Sequence, residues 1–105
     1  MAEKYQIELT PAAELDLLDI VEYLMEEVSL NVAEHVNDGI LATIETLEVL
    51  PRRNPKLEFS PQHRFILKWS YKIVYTIVEE DSTVLVVGIE HTSRNPQSLV
   101  ERFGD

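Results

Sequence analysis

The sequence has no cysteine, one tryptophan, three glycines, and only nine lysines and arginines against nineteen aspartates and glutamates in 105 residues. Without cysteine there is no disulfide framework, no thiolate metal site and no cysteine nucleophile. That suits a reducing cytosol. No apolar run approaches the ~20 residues that a membrane-spanning helix needs. Met1-Ala2-Glu3-Lys4 lacks the basic-then-apolar opening of a secretory signal. A cytoplasmic protein without membrane association is expected. His35, His63 and His91 are too widely spread for a metal motif, so neither metal nor cofactor is expected. The formal net charge of −10 argues against direct binding to free DNA, because free-standing nucleic-acid binders are usually basic.

The length and the 45% hydrophobic content fit a single domain, 1–105. A domain of this size buries roughly two-thirds of its unfolded surface. The charge is divided unevenly. Residues 1–50 hold twelve acids and one base, whereas 51–105 hold eight bases and seven acids. Arg52, Arg53, Lys56, Arg64, Lys68 and Lys72 cluster against Glu58 alone. An acidic half and a basic patch are expected, which bears on partners and steering rather than on fold.

Tyr5-Gln6-Ile7-Glu8-Leu9 alternates apolar and polar residues and predicts a half-buried strand. Thr10-Pro11 is a helix start, with Thr as N-cap and Pro in the first turn. Ala12, Leu15, Leu18, Val21, Leu24, Met25 and Val28 then recur at helical spacing and predict one apolar face. Glu14, Asp16, Asp19, Glu22, Glu26 and Glu27 read as the solvated remainder. Asn31 and Glu34 match a capping box for a second helix running to about Leu50, with Val32, Val36, Ile40, Ile44 and Leu47 as its stripe. Gly39 inside it predicts close helix packing, and Pro51 ends it. The short link predicts a helical hairpin. Nearly all these apolar stripes are expected to be used within the monomer.

Arg52–Gln62, which follows Pro51, holds two further prolines and no periodicity, so it reads as a loop or lid. Strands are predicted over Arg64–Trp69, Lys72–Val78 and Val84–Ile89, the last two joined by the polar turn Glu79–Thr83. A short helical turn is expected near Leu99. The order β-α-α-β-β-β predicts an α+β fold: an N-terminal strand, an antiparallel helical hairpin, then three strands of a mostly antiparallel sheet with helices on one face. Strand parity groups Phe65, Leu67 and Trp69 against Arg64, Ile66 and Lys68. It groups Tyr71, Ile73, Tyr75 and Ile77 against Lys72, Val74, Thr76 and Val78. With the aromatic faces packed on the helices, Arg64, Lys68 and Lys72 emerge together on the uncovered face, where Glu90 joins them. His91 falls on Ile89's side, towards the helices; His35 and His63 read as surface residues.

Three stretches carry a resemblance: Ile7–Ile20, Tyr71-Lys72-Ile73-Val74-Tyr75, and Val86–His91 continuing to Ser93-Arg94-Asn95-Pro96. In this order and at this length, the chain resembles the ParE/RelE toxin superfamily of type II toxin–antitoxin (plasmid stabilisation) systems. The resemblance implies a toxin neutralised by a cognate antitoxin protein. It implies one of two activities: binding inhibition of DNA gyrase, as in ParE-like members, or mRNA cleavage on the ribosome, as in RelE-like members.

Metal-independent RNA cleavage needs a general base, a general acid and cations for the phosphate. The candidates are Arg64, Lys68, Lys72, Glu90 and His91, with Lys72 matching the arginine of the family's central-strand motif. For contacts with the target or antitoxin the candidates are Arg64, Lys68, Lys72 and Arg94. Ile66 stands where a nuclease often has a further base, no tyrosine follows Tyr75, and ribosomal RNA suits an acidic chain poorly. The ParE-like reading is therefore favoured. The RelE-like endoribonuclease and a non-toxic partner-binding module are its alternatives.

Overall fold

The Thr10 hydroxyl accepts the Ala13 N–H at 3.1 Å, and Pro11 occupies the first turn of the helix it caps. The computed structural model, which describes residues 4–93 and 97–104, places β1 (Gln6–Leu9) before this helix, α1 (Pro11–Glu27). Helix α2 (Leu30–Glu45) packs back against α1. Four strands follow: β2 (Lys56–Leu57), β3 (Ser60–Lys68), β4 (Tyr71–Val78) and β5 (Thr83–His91). Helix α3 (Gln97–Phe103) follows β5 in the chain. The sheet order is β1-β5-β4-β3-β2; β1 runs parallel to β5 and the other pairs are antiparallel. The α+β layout expected from the element order is the one found.

Local details differ. The N-cap of α2 is Ser29, not Asn31: Ser29 is extended, and its hydroxyl accepts from Val32 N at 3.1 Å. The helix also stops at Glu45, short of Leu50. A 3-10 turn, Thr46–Glu48, redirects the chain so that Leu47 enters the core and the Glu48 carbonyl accepts from Tyr5 N. Leu50 takes a left-handed φ of 51° ahead of Pro51, a region that residues other than glycine rarely adopt. The Arg52–Gln62 loop contributes β2 and the first residues of β3, which raises the strand count to five.

The core lies between the helical hairpin and one sheet face. Ala13, Leu17, Ile40, Ile44, Leu47, Ile73, Tyr75, Val84, Val86 and Ile89 form it. Each fully buried large side chain there contributes about 1.5–3 kcal/mol. The buried stripe of α1 is thus Ala13 and Leu17, with Ile20 and Val21 packed beside them. Leu15, Leu18, Met25 and Val28, expected in the core, are exposed. The helix is apolar on more than one face, and the sheet covers only one.

Between Val74 and Tyr75 the β4–β5 register shifts: Val74 opposes Gly88, whereas Tyr75 opposes Val86. The extra residue is a β-bulge. It lets Val86 and Ile89, three apart, both face the core and turns Gly88 outward. Glycine fits there because Phe103 and Arg102 of α3 lie where a Cβ would stand. The sheet's second face is therefore partly covered. Gly39 has a similar explanation, and helix packing is not it: the Trp69 indole occupies the space a Cβ would need.

Candidate functional site

The register separates the residues expected to gather. Arg64 opposes Tyr75, Ile66 opposes Ile73, Leu67 opposes Lys72 and Lys68 opposes Tyr71. Opposed residues in an antiparallel pair project to the same side. Arg64 and Lys68 therefore share the hairpin-facing side, while Lys72 projects with Phe65 and Leu67 to the other. Ile66 takes the core position in β3, and a phase change of one residue reverses every side chain of a strand. The expectation that Arg64, Lys68 and Lys72 emerge together is overturned.

Arg64 is a structural latch. Its Nη1 donates to the carbonyls of Arg52, at 2.9 Å, and Asn54, at 2.6 Å. Beside it, the fully buried Tyr75 donates its hydroxyl to the Pro51 carbonyl at 2.5 Å and accepts from Asn54 Nδ2 at 3.0 Å. Burial raises the Tyr75 pKa and outweighs the Asn54 bond, which lowers it. Together Arg64 and Tyr75 fix the 51–54 segment to the sheet. Arg52 is likewise engaged, pairing with Glu79 and donating to the Tyr5 hydroxyl.

Lys68 and Trp69 sit at the turn between β3 and β4. Lys68 Nζ is 4.5 Å from the Trp69 ring centroid. Trp69 has a left-handed φ of 52°, lies against His35 of α2 and remains 49% exposed. Lys72 Nζ is 4.6 Å from the centre of the Phe65 ring, on the opposite sheet face.

Glu90 does lie on the face of Lys72, its cross-strand partner, but it is buried. Its carboxylate accepts from Ser98 Oγ at 2.6 Å and from Arg102 Nη1 at 2.8 Å. Arg102 Nη2 reaches Asp16 Oδ2 at 3.0 Å, and the same oxygen accepts from Ile89 N at 2.9 Å. Burial pulls the Arg102 pKa down, but bonds to Glu90 and Asp16 more than offset it and leave the pKa raised. The result is a clamp joining α1, β5 and α3. Asp16 reads in the sequence as a solvated acid; Arg102 and Ser98 show no periodic signal there.

His91 faces the hairpin, as parity predicts, edge-on to Tyr71 with centroids 5.2 Å apart. Its Nδ1 accepts from Ser93 N at 3.0 Å, which leaves Nε2 to carry the proton in the neutral ring. It lines a cleft of about 560 Å³ with Asp16, Asp19, Tyr23 and Tyr71. Arg94 lies outside the described residues. His63 is partly buried beside Phe103, its Nδ1 2.7 Å from Ser60 Oγ, and burial lowers its pKa.

The nuclease candidates are therefore split: Arg64, Lys68 and His91 on one side of the sheet, Lys72 and Glu90 on the other. Among the described residues no group of three or more acids and histidines is placed to hold a metal ion, and no helix is long and apolar enough to cross a membrane.

The fold has solved counterparts. A chain of the chromosomal ParDE toxin–antitoxin system from Pseudomonas aeruginosa superposes with a TM-score of 0.75 at 13% identity, covering 86% of this chain and 98% of that one. A chain of the RelBE2 toxin–antitoxin complex from Mycobacterium tuberculosis matches with a TM-score of 0.62 at 19% identity, over 85% and 92% of the two chains. The isolated RelE toxin of Escherichia coli matches with a TM-score of 0.51 at 19% identity, over 93% and 97%. At these identities the likeness concerns the fold. No curated protein sequence matches the chain. The family model for the ParE toxin of the type II toxin–antitoxin system, parDE, matches residues 7–96. The chain thus belongs to the ParE toxin family of type II toxin–antitoxin systems.

Proposed function

We propose that this chain acts by binding rather than by chemistry, inhibiting DNA gyrase as a ParE-like toxin until a cognate antitoxin neutralises it. The dispersal of the candidate catalytic groups carries this reading. General acid–base cleavage needs its base, acid and phosphate-binding cations around one reacting atom. Here Arg64 holds backbone carbonyls, Glu90 is engaged by Arg102 and Ser98, and His91 stands on the other side of the sheet beside acids that repel phosphate. The ParDE and RelBE complexes among the structural neighbours support an antitoxin partner.

For the target contact the favoured element is the β3–β4 tip. Tryptophan is among the residue types that dominate protein interfaces, and Trp69 is half exposed there with the Lys68 ammonium over its ring. Lys72 is the second candidate contact, from the opposite face. One observation favours the endoribonuclease alternative: Lys72 and Glu90 stand opposite each other on the face that α3 partly covers. Purified chain added to a gyrase supercoiling assay and to a translation extract separates the two. The expected outcome is lost supercoiling with intact mRNA; cleaved mRNA with normal supercoiling would reverse the assignment.

A further inference from the structure

Asp16, Asp19, Ile20 and Tyr23 fall three or four residues apart and so share one face of α1. That face looks onto the start of β4 and the end of β5, where Tyr71, Ile89 and His91 complete an open cleft of about 560 Å³. Small-molecule sites are concavities of this order, mostly apolar, with a few placed polar groups. Here Ile20 and Ile89 supply apolar lining and three rings join them. Tyr71 and His91 meet edge-on with centroids 5.2 Å apart, and Tyr23 is 64% exposed. Burial, and after it the neighbouring Tyr23, raises the Tyr71 pKa, so this phenol is neutral near pH 7.

Charge narrows the ligand. Asp16, Asp19 and Glu90 line the cleft and no lysine or arginine does. Arg102 is shared between Asp16 and Glu90, so three carboxylates meet one cation. The Asp19 carboxylate makes no ion pair or hydrogen bond among the described residues. An anion would be repelled, and a neutral ligand would take water from Asp19 without replacing it. The described residues offer no group of three acids and histidines for a metal ion. A guanidinium answers each feature: it is weakly hydrated, stacks on aromatic faces and bonds a carboxylate in bidentate fashion. Its methylene stem covers apolar surface. Acids alone would attract any cation; the rings and the apolar lining select this one.

We propose that the cleft between α1 and the ends of β4 and β5 binds a small guanidinium compound, with Asp19 pairing the head, Tyr23 and Tyr71 stacking against it, and Ile20 and Ile89 receiving the stem. Asp16 and Glu90 stay in the clamp and contribute only their field. The inference does not depend on gyrase being the target, because it concerns only what this cleft accepts.

Agmatine, and arginine capped at both ends, are titrated to about 10 mM into the 15N-labelled full chain. Agmatine stands for a free compound and capped arginine for a protein's side chain. Capped citrulline, a neutral isostere, and capped lysine, whose ammonium is compact and strongly hydrated, are the controls. Amide shifts are expected at 16–23, 71 and 89–93 only. Capped arginine should bind at least about tenfold more tightly than capped citrulline, and more tightly than capped lysine. Agmatine should bind more tightly still, having a second charge and no peptide groups to desolvate. Asp19→Asn should weaken agmatine at least about tenfold; Tyr23→Leu should weaken it and Tyr23→Phe should not, because the ring remains. Both positions are exposed, so the variants should fold, which their thermal midpoints check. No binding by about 10 mM, equal binding of citrulline or lysine, shifts spread along the acids of the hairpin, or indifference to Asp19→Asn would overturn the proposal. So would tighter binding of capped arginine than of agmatine, because the occupant would then be a protein's side chain.

Discussion

Replacing Arg102 by methionine removes the guanidinium from the clamp while retaining much of its length. Glu90 then keeps the Ser98 hydroxyl but loses the cation 2.8 Å away, and Asp16 loses its contact at 3.0 Å. The Glu90 side chain is only 3% exposed, so water cannot take the cation's place. Removing one partner of a buried ion pair costs about 3–5 kcal/mol. Arg102 is itself 28% exposed and Lys72 stands opposite Glu90, which lowers the expected loss to about 2–3 kcal/mol. In a domain near 100 residues each kcal/mol corresponds to roughly 4–8 °C, so Tm should fall by roughly 10–20 °C. Circular dichroism melts at neutral pH measure this. Adding Glu90→Gln to the variant should recover about half of the loss, because the buried charge goes with its partner. A single variant within about 3 °C of the parent would mean that Arg102 does not hold the Glu90 charge in place and that Glu90 is available for chemistry.

Tyr75→Phe leaves the Pro51 carbonyl and Asn54 Nδ2 without their hydroxyl partner; an expected loss of about 1–3 kcal/mol in urea unfolding, with faster amide exchange at 52–54, checks the latch. Gly39→Ala should push the Trp69 indole off α2 and shift its emission to the red, and unchanged emission would contradict the close packing. Burial holds the His63 pKa below its ordinary value of about 6.5, so its contribution to stability is complete above that pH and is lost as pH falls through the folded pKa. His63→Gln should therefore flatten the fall in Tm between about pH 7 and 5, and an unchanged slope would assign that fall to other groups.

Much of the fold was legible because its signals are local. Thr10-Pro11 names a helix start through capping chemistry, and the alternation in Tyr71–Val78 names a strand with Tyr75 inside. Signals that depend on two elements at once were not legible. The side to which Arg64 and Lys68 project depends on β3's phase against β4, which no single strand carries. The bulge that brings Ile89 inward arises from the pairing of β4 with β5. Leu15 and Leu18 look like core until the sheet proves too narrow to cover them. Asp16 looks solvated until Arg102, 86 residues later, closes on it. The family was readable from three stretches in order. The site was not, because its candidates were chosen by residue type and only the three-dimensional register separates a cation that faces a target from one that holds a loop.

Gyrase binding, as proposed for this toxin, and RNA cleavage make opposite demands on the cell. Pulse-labelling of DNA and protein synthesis after induction of the chain without its antitoxin separates them most directly. Under the proposed function, DNA synthesis is expected to fall first while protein synthesis continues. An early fall in protein synthesis with DNA synthesis intact would contradict it and make the face bearing Lys72 and Glu90 the place to look for chemistry.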